Sequence, residues 1–154
     1  VGQSVDVDGV RFTPMPANHA SDKRFEQPLI YLIEKDHVRL LYATDTAGLP
    51  AYTTRWLNID KHISESKPLT AIIMEATMGM GHVEDFRFFT HSSVFDVERM
   101  VKVLTSTKRY TPPVGQPVYL THMARTMHGT QAELDAQLPA PLKAAYDGLE
   151  VIFK

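Results

Sequence analysis

The stretch His37-Val38-Arg39-Leu40-Leu41-Tyr42-Ala43-Thr44-Asp45-Thr46-Ala47-Gly48 runs an apolar strand into a polar turn and sets one carboxylate at the join. Two further stretches repeat the arrangement with another side chain. Pro16-Ala17-Asn18-His19 and Tyr119-Leu120-Thr121-His122 each place a histidine where an apolar run gives way to a loop. In open α/β sheets the loops at strand ends gather into the ligand crevice. Imidazole nitrogen with carboxylate oxygen suits zinc, manganese or iron. Taken singly, Asp45 reads as a turn-capping residue and each histidine as a strand-end residue. Taken jointly, the three read as ligands of a shared metal site.

Working outward, residues 3–7 and 10–15 are short runs separated by Asp8-Gly9, a two-residue hairpin signal. Pro14 and Pro16 end the second run and open a polar loop over 17–27. Residues 29–34 and 37–43 form a second hairpin pattern across Lys35-Asp36, rich in β-formers. Gly48 turns the chain over 46–50, and 52–64 carries Trp56, Leu57 and Ile63 at helical spacing, with Trp56 expected in the core. Residues 69–75 are nearly all apolar, as a strand covered on both faces is. Residues 78–90 read as a loop with Gly79 and Gly81; it lacks the glycine spacing and lysine of a phosphate cradle. An amphipathic helix is expected over 93–105, with Val94, Val97, Met100, Val101 and Leu104 on one face. Residues 117–121 give a further strand. Thr130 with Glu133 has capping-box spacing for a helix over 130–138. Asp147-Gly148 is a turn before a last strand over 149–153. No repeat or linker interrupts this alternation, which predicts one α/β domain over residues 1–154.

Composition fits that reading. The 154 residues are 44% apolar and 22% charged, ordinary for a globular domain with a real core. A net charge of −2 and a pI near 6.4 give no nucleic-acid footprint. Absence of cysteine excludes disulfides and thiolate metal sites and accords with a cytoplasmic location. No apolar stretch approaches membrane length and no signal-peptide pattern is present. The chain starts at Val1 inside an apparent strand, which points to a trimmed or partial chain.

The matching elements, in order, are His19 after a strand, Asp45 with Thr46 and Gly48, Glu75 closing a buried strand, His91-Ser92-Ser93 opening a helix, Thr121-His122, and Ala145-Tyr146-Asp147-Gly148. From Thr13 to Phe153 the chain resembles the C-terminal half of a metallo-β-lactamase-fold hydrolase. Within that fold it is most similar to the cyclic-phosphate phosphodiesterases of phosphonate breakdown, and more distantly to tRNA 3′-processing nucleases. The resemblance implies half of an αββα sandwich: one mixed sheet with helices on one face, the N-terminal half missing. It also implies a binuclear centre of two zinc or manganese ions in the complete protein, with His19, Asp45 and His122 as the ligands on this side. The upstream His-x-His-x-Asp-His motif that completes such centres does not occur here. This chain alone is therefore expected to hold one metal or none and to be inactive.

For the other residues two readings stand side by side. His91 is either a loop residue before a helix capped by Ser92 or Ser93, or, as the resemblance implies, the group that protonates a leaving alkoxide. Histidine suits that work because its ordinary pKa is near neutral. Glu75 is either a metal-supporting carboxylate or a charge reaching water. His128 faces substrate or solvent, and Asp147 is turn chemistry or a supporting group. His37 and His62 read as hairpin or surface residues, His82 as part of the glycine-rich loop. The implied substrate is a small phosphodiester or cyclic phosphate. The alternatives are a thioester, lactone or lactam, or a degenerate non-catalytic module acting through a partner. Half a sandwich leaves an apolar sheet face open, so the expected partner is the missing half or a second copy.

Overall fold

The computed structural model describes residues 1–21, 25–57, 67–82 and 84–153. Strands β1 (Val5–Val7) and β2 (Val10–Pro16) close on Asp8-Gly9, whose φ angles of 49° and 76° are the left-handed pair a two-residue turn demands. Strands β3 (Leu29–Lys35) and β4 (Val38–Ala43) form the second hairpin. Its turn is Asp36-His37, one residue later than Lys35-Asp36. Lys35 pairs with Val38, and Asp36 takes the left-handed conformation (φ 51°), which aspartate tolerates better than lysine.

Three more strands follow: β5 (Ala71–Glu75), β6 (Val118–Thr121) and β7 (Leu142–Ala144). Among the described residues the seven lie in sequence order, antiparallel from β1 to β4 and parallel from β4 to β7. Because β2 and β4 are both antiparallel to β3, the carboxyl ends of β2, β4, β5 and β6 share one edge. The strand expected over 149–153 is not one. The place beside β6 is taken by β7, through Val118↔Leu142 and Leu120↔Ala144, while Phe153 sets its ring against Tyr119 at 6.4 Å between centroids.

Helix α1 (Ala51–Trp56) begins the segment expected to be helical; residues 58–64 of that expectation, with His62, lie outside the described residues. Trp56 is not core: it is 43% exposed and lies over Gly2, where a Cβ would fall 2.0 Å from the indole. Leu57 fills the core in its place. Helix α2 (Val94–Ser106) is capped by Ser93, which accepts from Asp96 N (3.2 Å) while Asp96 accepts from Ser93 N (2.9 Å). Helix α3 (Gln131–Gln137) has the expected Thr130–Glu133 box. The loop over 78–90 contains a 3-10 turn, Phe86–Phe89.

Side chains at paired positions share a face. On the first face Met15, Ile30, Leu32, Leu41, Ile72, Met74 and Leu120 meet Val94, Val97, Val101 and Leu104 of α2, and all are buried. Each such side chain contributes about 1.5–3 kcal/mol by leaving water. The second face carries the row Pro14–Tyr31–Tyr42–Ile73–Tyr119–Lys143. Tyr31, Ile73 and Tyr119 there are half-buried and Tyr42 is exposed, while β5 keeps Ala71 and Glu75 of that face buried, as its apolar run predicts. No helix among the described residues is long and apolar enough to cross a membrane.

Candidate metal centre

The shared strand edge brings the singled-out residues together. His19 follows β2, Asp45 follows β4, Glu75 ends β5, and His122 follows β6. Asp45 and His122 both adopt φ of 50°, the left-handed region, and face each other with His122 Nε2 at 3.0 Å from Asp45 Oδ1. Aspartate and histidine visit this region more readily than most residues, yet the conformation persists only where the surroundings impose it.

Those surroundings are specific. Thr46 N donates to Glu75 Oε1, and Thr46 Oγ1 accepts from Asn18 N (2.9 Å) and donates to Gly48 O (2.8 Å). Ser92 Oγ donates to Thr46 O (2.9 Å) and accepts from Gly48 N (3.0 Å). The Asp45 loop is thus fastened at once to the exit of β2, the end of β5 and the entry of α2. The His122 turn is held by Ala76 N donating to Thr121 O (2.9 Å) and by Thr77 Oγ1 at 3.1 Å from His122 O.

The three imidazoles form a chain. His19 and His91 have centroids 4.8 Å apart, and His91 and His122 lie stacked at 5.6 Å and 17°. Two groups have donor atoms within 4.8 Å of one another: His19, Asp45 and His91, and Glu75, His91 and His122. His91, expected as a proton donor, is the member common to both. Its Nδ1 lies 3.2 and 3.3 Å from the two oxygens of Glu75 and 4.0 Å from Asp45 Oδ1. Glu75 is fully buried and does not reach water. His19 Nδ1 lies 3.0 Å from the Thr90 carbonyl; a carbonyl only accepts, so Nδ1 carries the proton and Nε2 is the bare nitrogen. A histidine tied through one nitrogen, with the other bare, is how a metal-binding imidazole is presented. The donor set fits a divalent cation such as zinc or manganese.

Other candidates fall elsewhere. His128 Nε2 is engaged with the carbonyls of Ala76 (2.7 Å) and Thr77 (3.2 Å) and fastens that loop. Asp147 lies in its turn beside Gly148, His37 in the hairpin turn, and His82 in a turn closed on Gly79 O. Two roles went unread in the sequence, that of Ser92 beyond a candidate cap and that of Thr77 altogether. Ser92 pins the Asp45 loop, leaving the cap to Ser93. Thr77 touches Glu75, His91 and His122 together; a hydroxyl two positions beyond a buried carboxylate was the signal.

A cavity of about 280 Å³ opens beside His91, between Phe88, Phe89, Asn18 and Asp96. A larger one, about 760 Å³, lies at the opposite edge between residues 112–117 and 138–143.

No protein-family model matches the sequence, and no curated protein does. Among solved structures the chain is similar to a diphosphatase from the PhnP family, at 20% identity and TM-score 0.59, over 97% of this chain and 45% of that one. It is also similar to the metallo-β-lactamase-fold protein YhfI from Bacillus subtilis, at 11% identity and TM-score 0.61, over 96% and 51%. The fold is therefore of the metallo-β-lactamase type. The chain spans about half the length of these structures.

Proposed function

We propose that this chain is the C-terminal portion of a metal-dependent hydrolase and carries one side of a binuclear centre that cleaves a small phosphodiester or cyclic phosphate. One observation carries the reading: three strand ends and the entry of α2 bring His19, Asp45, His122 and His91 to a single cluster, with Asp45 and His122 strained toward each other. The likeness to a PhnP-family diphosphatase supports phosphate over thioester, lactone or lactam chemistry.

Divalent cations bound there supply an activated hydroxide and neutralise charge on phosphoryl oxygens. Asp45, His19 and His122 would hold such cations, Asp45 through its carboxylate and each histidine through a neutral nitrogen. His91, backed by Glu75 at Nδ1, turns Nε2 to substrate and gives a proton to the leaving oxygen as the P–O bond breaks. The second sheet face, with Tyr31, Tyr42, Ile73 and Tyr119, takes the complementary half of the sandwich, which brings the remaining ligands.

The complete open reading frame is purified and assayed with Mn²⁺ or Zn²⁺ on bis-p-nitrophenyl phosphate, cyclic phosphates and nitrocefin. The expected result is metal-dependent turnover of the phosphodiesters. His91→Ala is expected to lose about 10²–10⁴-fold on alkyl esters while retaining metal, and far less where p-nitrophenolate, a good leaving group, departs. Turnover of nitrocefin alone, or an unaffected His91→Ala enzyme on alkyl esters, refutes the assignment.

A further inference from the structure

Thr77 Oγ1 stands at a junction that the metal-centre reading does not use. It lies 2.5 Å from Glu75 Oε2, 2.9 Å from His122 Nδ1, 3.1 Å from His122 O and 3.2 Å from His91 Nδ1. A hydroxyl has one proton and two lone pairs. Glu75 as a carboxylate has only lone pairs, and at 2.5 Å it must receive the threonine proton, since two lone pairs cannot meet at that distance. Thr77 is then an acceptor toward the two imidazole nitrogens, while the His122 carbonyl, itself only an acceptor, takes at most a share of the same threonine proton. His122 Nδ1 must carry a proton and donate it to Thr77.

We infer that Thr77 is a positioning residue which, acting between the buried Glu75 and His122, fixes His122 as the Nδ1–H tautomer. The consequence appears on the far side of the ring. His122 Nε2 is left bare and faces Asp45 Oδ1 at 3.0 Å. Two acceptors at that separation repel unless a cation lies between them, and neighbouring tetrahedral ligands with metal bonds of about 2.0–2.2 Å stand roughly 3.3–3.6 Å apart, a few tenths of an ångström wider than this pair. One buried carboxylate thereby orders two rings, His91 directly and His122 through a hydroxyl. The consequence for metal rests on the function proposed above; the tautomer itself does not.

The test separates the two. Full-chain protein labelled with ¹⁵N and free of metal is examined by long-range proton–nitrogen correlation, about two pH units above the ordinary histidine range. Zinc titrations by calorimetry follow on the same samples. The wild type and Thr77→Ser are expected to show protonated Nδ1 and bare Nε2 at His122. In Thr77→Val the His122 proton redistributes to Nε2, His91 keeps its form through its direct contact with Glu75, and zinc affinity falls about 10- to 100-fold. Recovery of affinity in Thr77→Ser supports the relay. A wild-type His122 protonated at Nε2, or a Thr77→Val protein with His122 unchanged, overturns it. If Thr77→Val does not fold, the wild-type and Thr77→Ser spectra decide. If the tautomers behave as stated but no variant binds zinc, the relay stands and the metal reading falls.

Discussion

Replacing Glu75 by glutamine changes no volume and one atom, and its effect can be followed proton by proton. The carboxylate accepts from Thr46 N at Oε1, from Thr77 Oγ1 at Oε2, and from His91 Nδ1 at either oxygen. An amide keeps one oxygen. Turned toward Thr77, that oxygen leaves the amide NH₂ against Thr46 N–H, a buried donor without an acceptor, at about 1–3 kcal/mol. Turned toward Thr46, it preserves the Asp45 loop but presses NH₂ on Thr77 and His91. Thr77 must then accept and turn its proton toward His122, where Nδ1 (2.9 Å) is nearer than the carbonyl oxygen (3.1 Å), and His91 must bare its own Nδ1. Both rings move their protons to Nε2, and His122 now donates to Asp45 where a cation would bind. Each hydrogen bond to a charged partner contributes about 1.5–3 kcal/mol and the amide replaces part of this, so a net destabilisation of about 1–3 kcal/mol is expected. Zinc affinity is expected to fall about 10- to 100-fold, as for other partners of ligating histidines. Urea denaturation without metal gives the first quantity and calorimetry the second. A Glu75→Gln protein that folds with wild-type stability and binds zinc as before refutes the role assigned to this carboxylate.

Two further predictions concern the scaffold. Tyr110 is buried, its hydroxyl has no partner among the described residues, and burial pushes its pKa up to about 12. Against about 10 in the unfolded chain, the phenol is neutral in both states below pH 10. Stability is then lost as pH rises from about 10 to 12, by about 2–3 kcal/mol in all. Tyr110→Phe should abolish that loss while holding or raising stability at neutral pH; equal alkaline losses in the two proteins, measured by denaturation, would exclude the mechanism. Gly79 has no room for a methyl group: a Cβ would fall 2.2 Å from the Met127 carbonyl oxygen. Gly79→Ala should displace residues 124–128, cost about 1–3 kcal/mol, and speed hydrogen exchange at Ala124 N, which donates to Thr77 O. Unchanged exchange there would show that the two segments do not depend on each other.

Local signals carried much of the architecture. Asp8-Gly9 specifies its hairpin because only certain residues sit at positive φ, and Ser93 and Thr130 announce helices through their own side chains. Non-local features were less legible. Leu142–Ala144 has neither length nor β-rich composition, and becomes a strand through pairing with β6. Leu149–Phe153 has the composition but pairs with no strand of the sheet; its place beside β6 is held by β7. Trp56 is apolar enough for a core, yet its place on the helix turns it toward Gly2. At the site, ligand types at strand ends could be read because a strand end is a position in the sequence. The role of Thr77 could not, since it depends on which way three side chains turn once Glu75, His91 and His122 are neighbours.

The sheet's change from antiparallel to parallel pairing sets an order of assembly. Strands β1 and β2, and β3 and β4, join through two-residue turns, which form fast, and the two hairpins are linked across residues 17–28. The later strands add by long crossovers, with a slower, non-local closure. As the chain leaves the ribosome, the meander that carries His19 and Asp45 precedes Glu75, Thr90 and Ser92, which fasten His19 and the Asp45 loop, and His122 comes last. Completion of the cluster is therefore a late event, and a cation captured there reports that the carboxyl-terminal strands have docked.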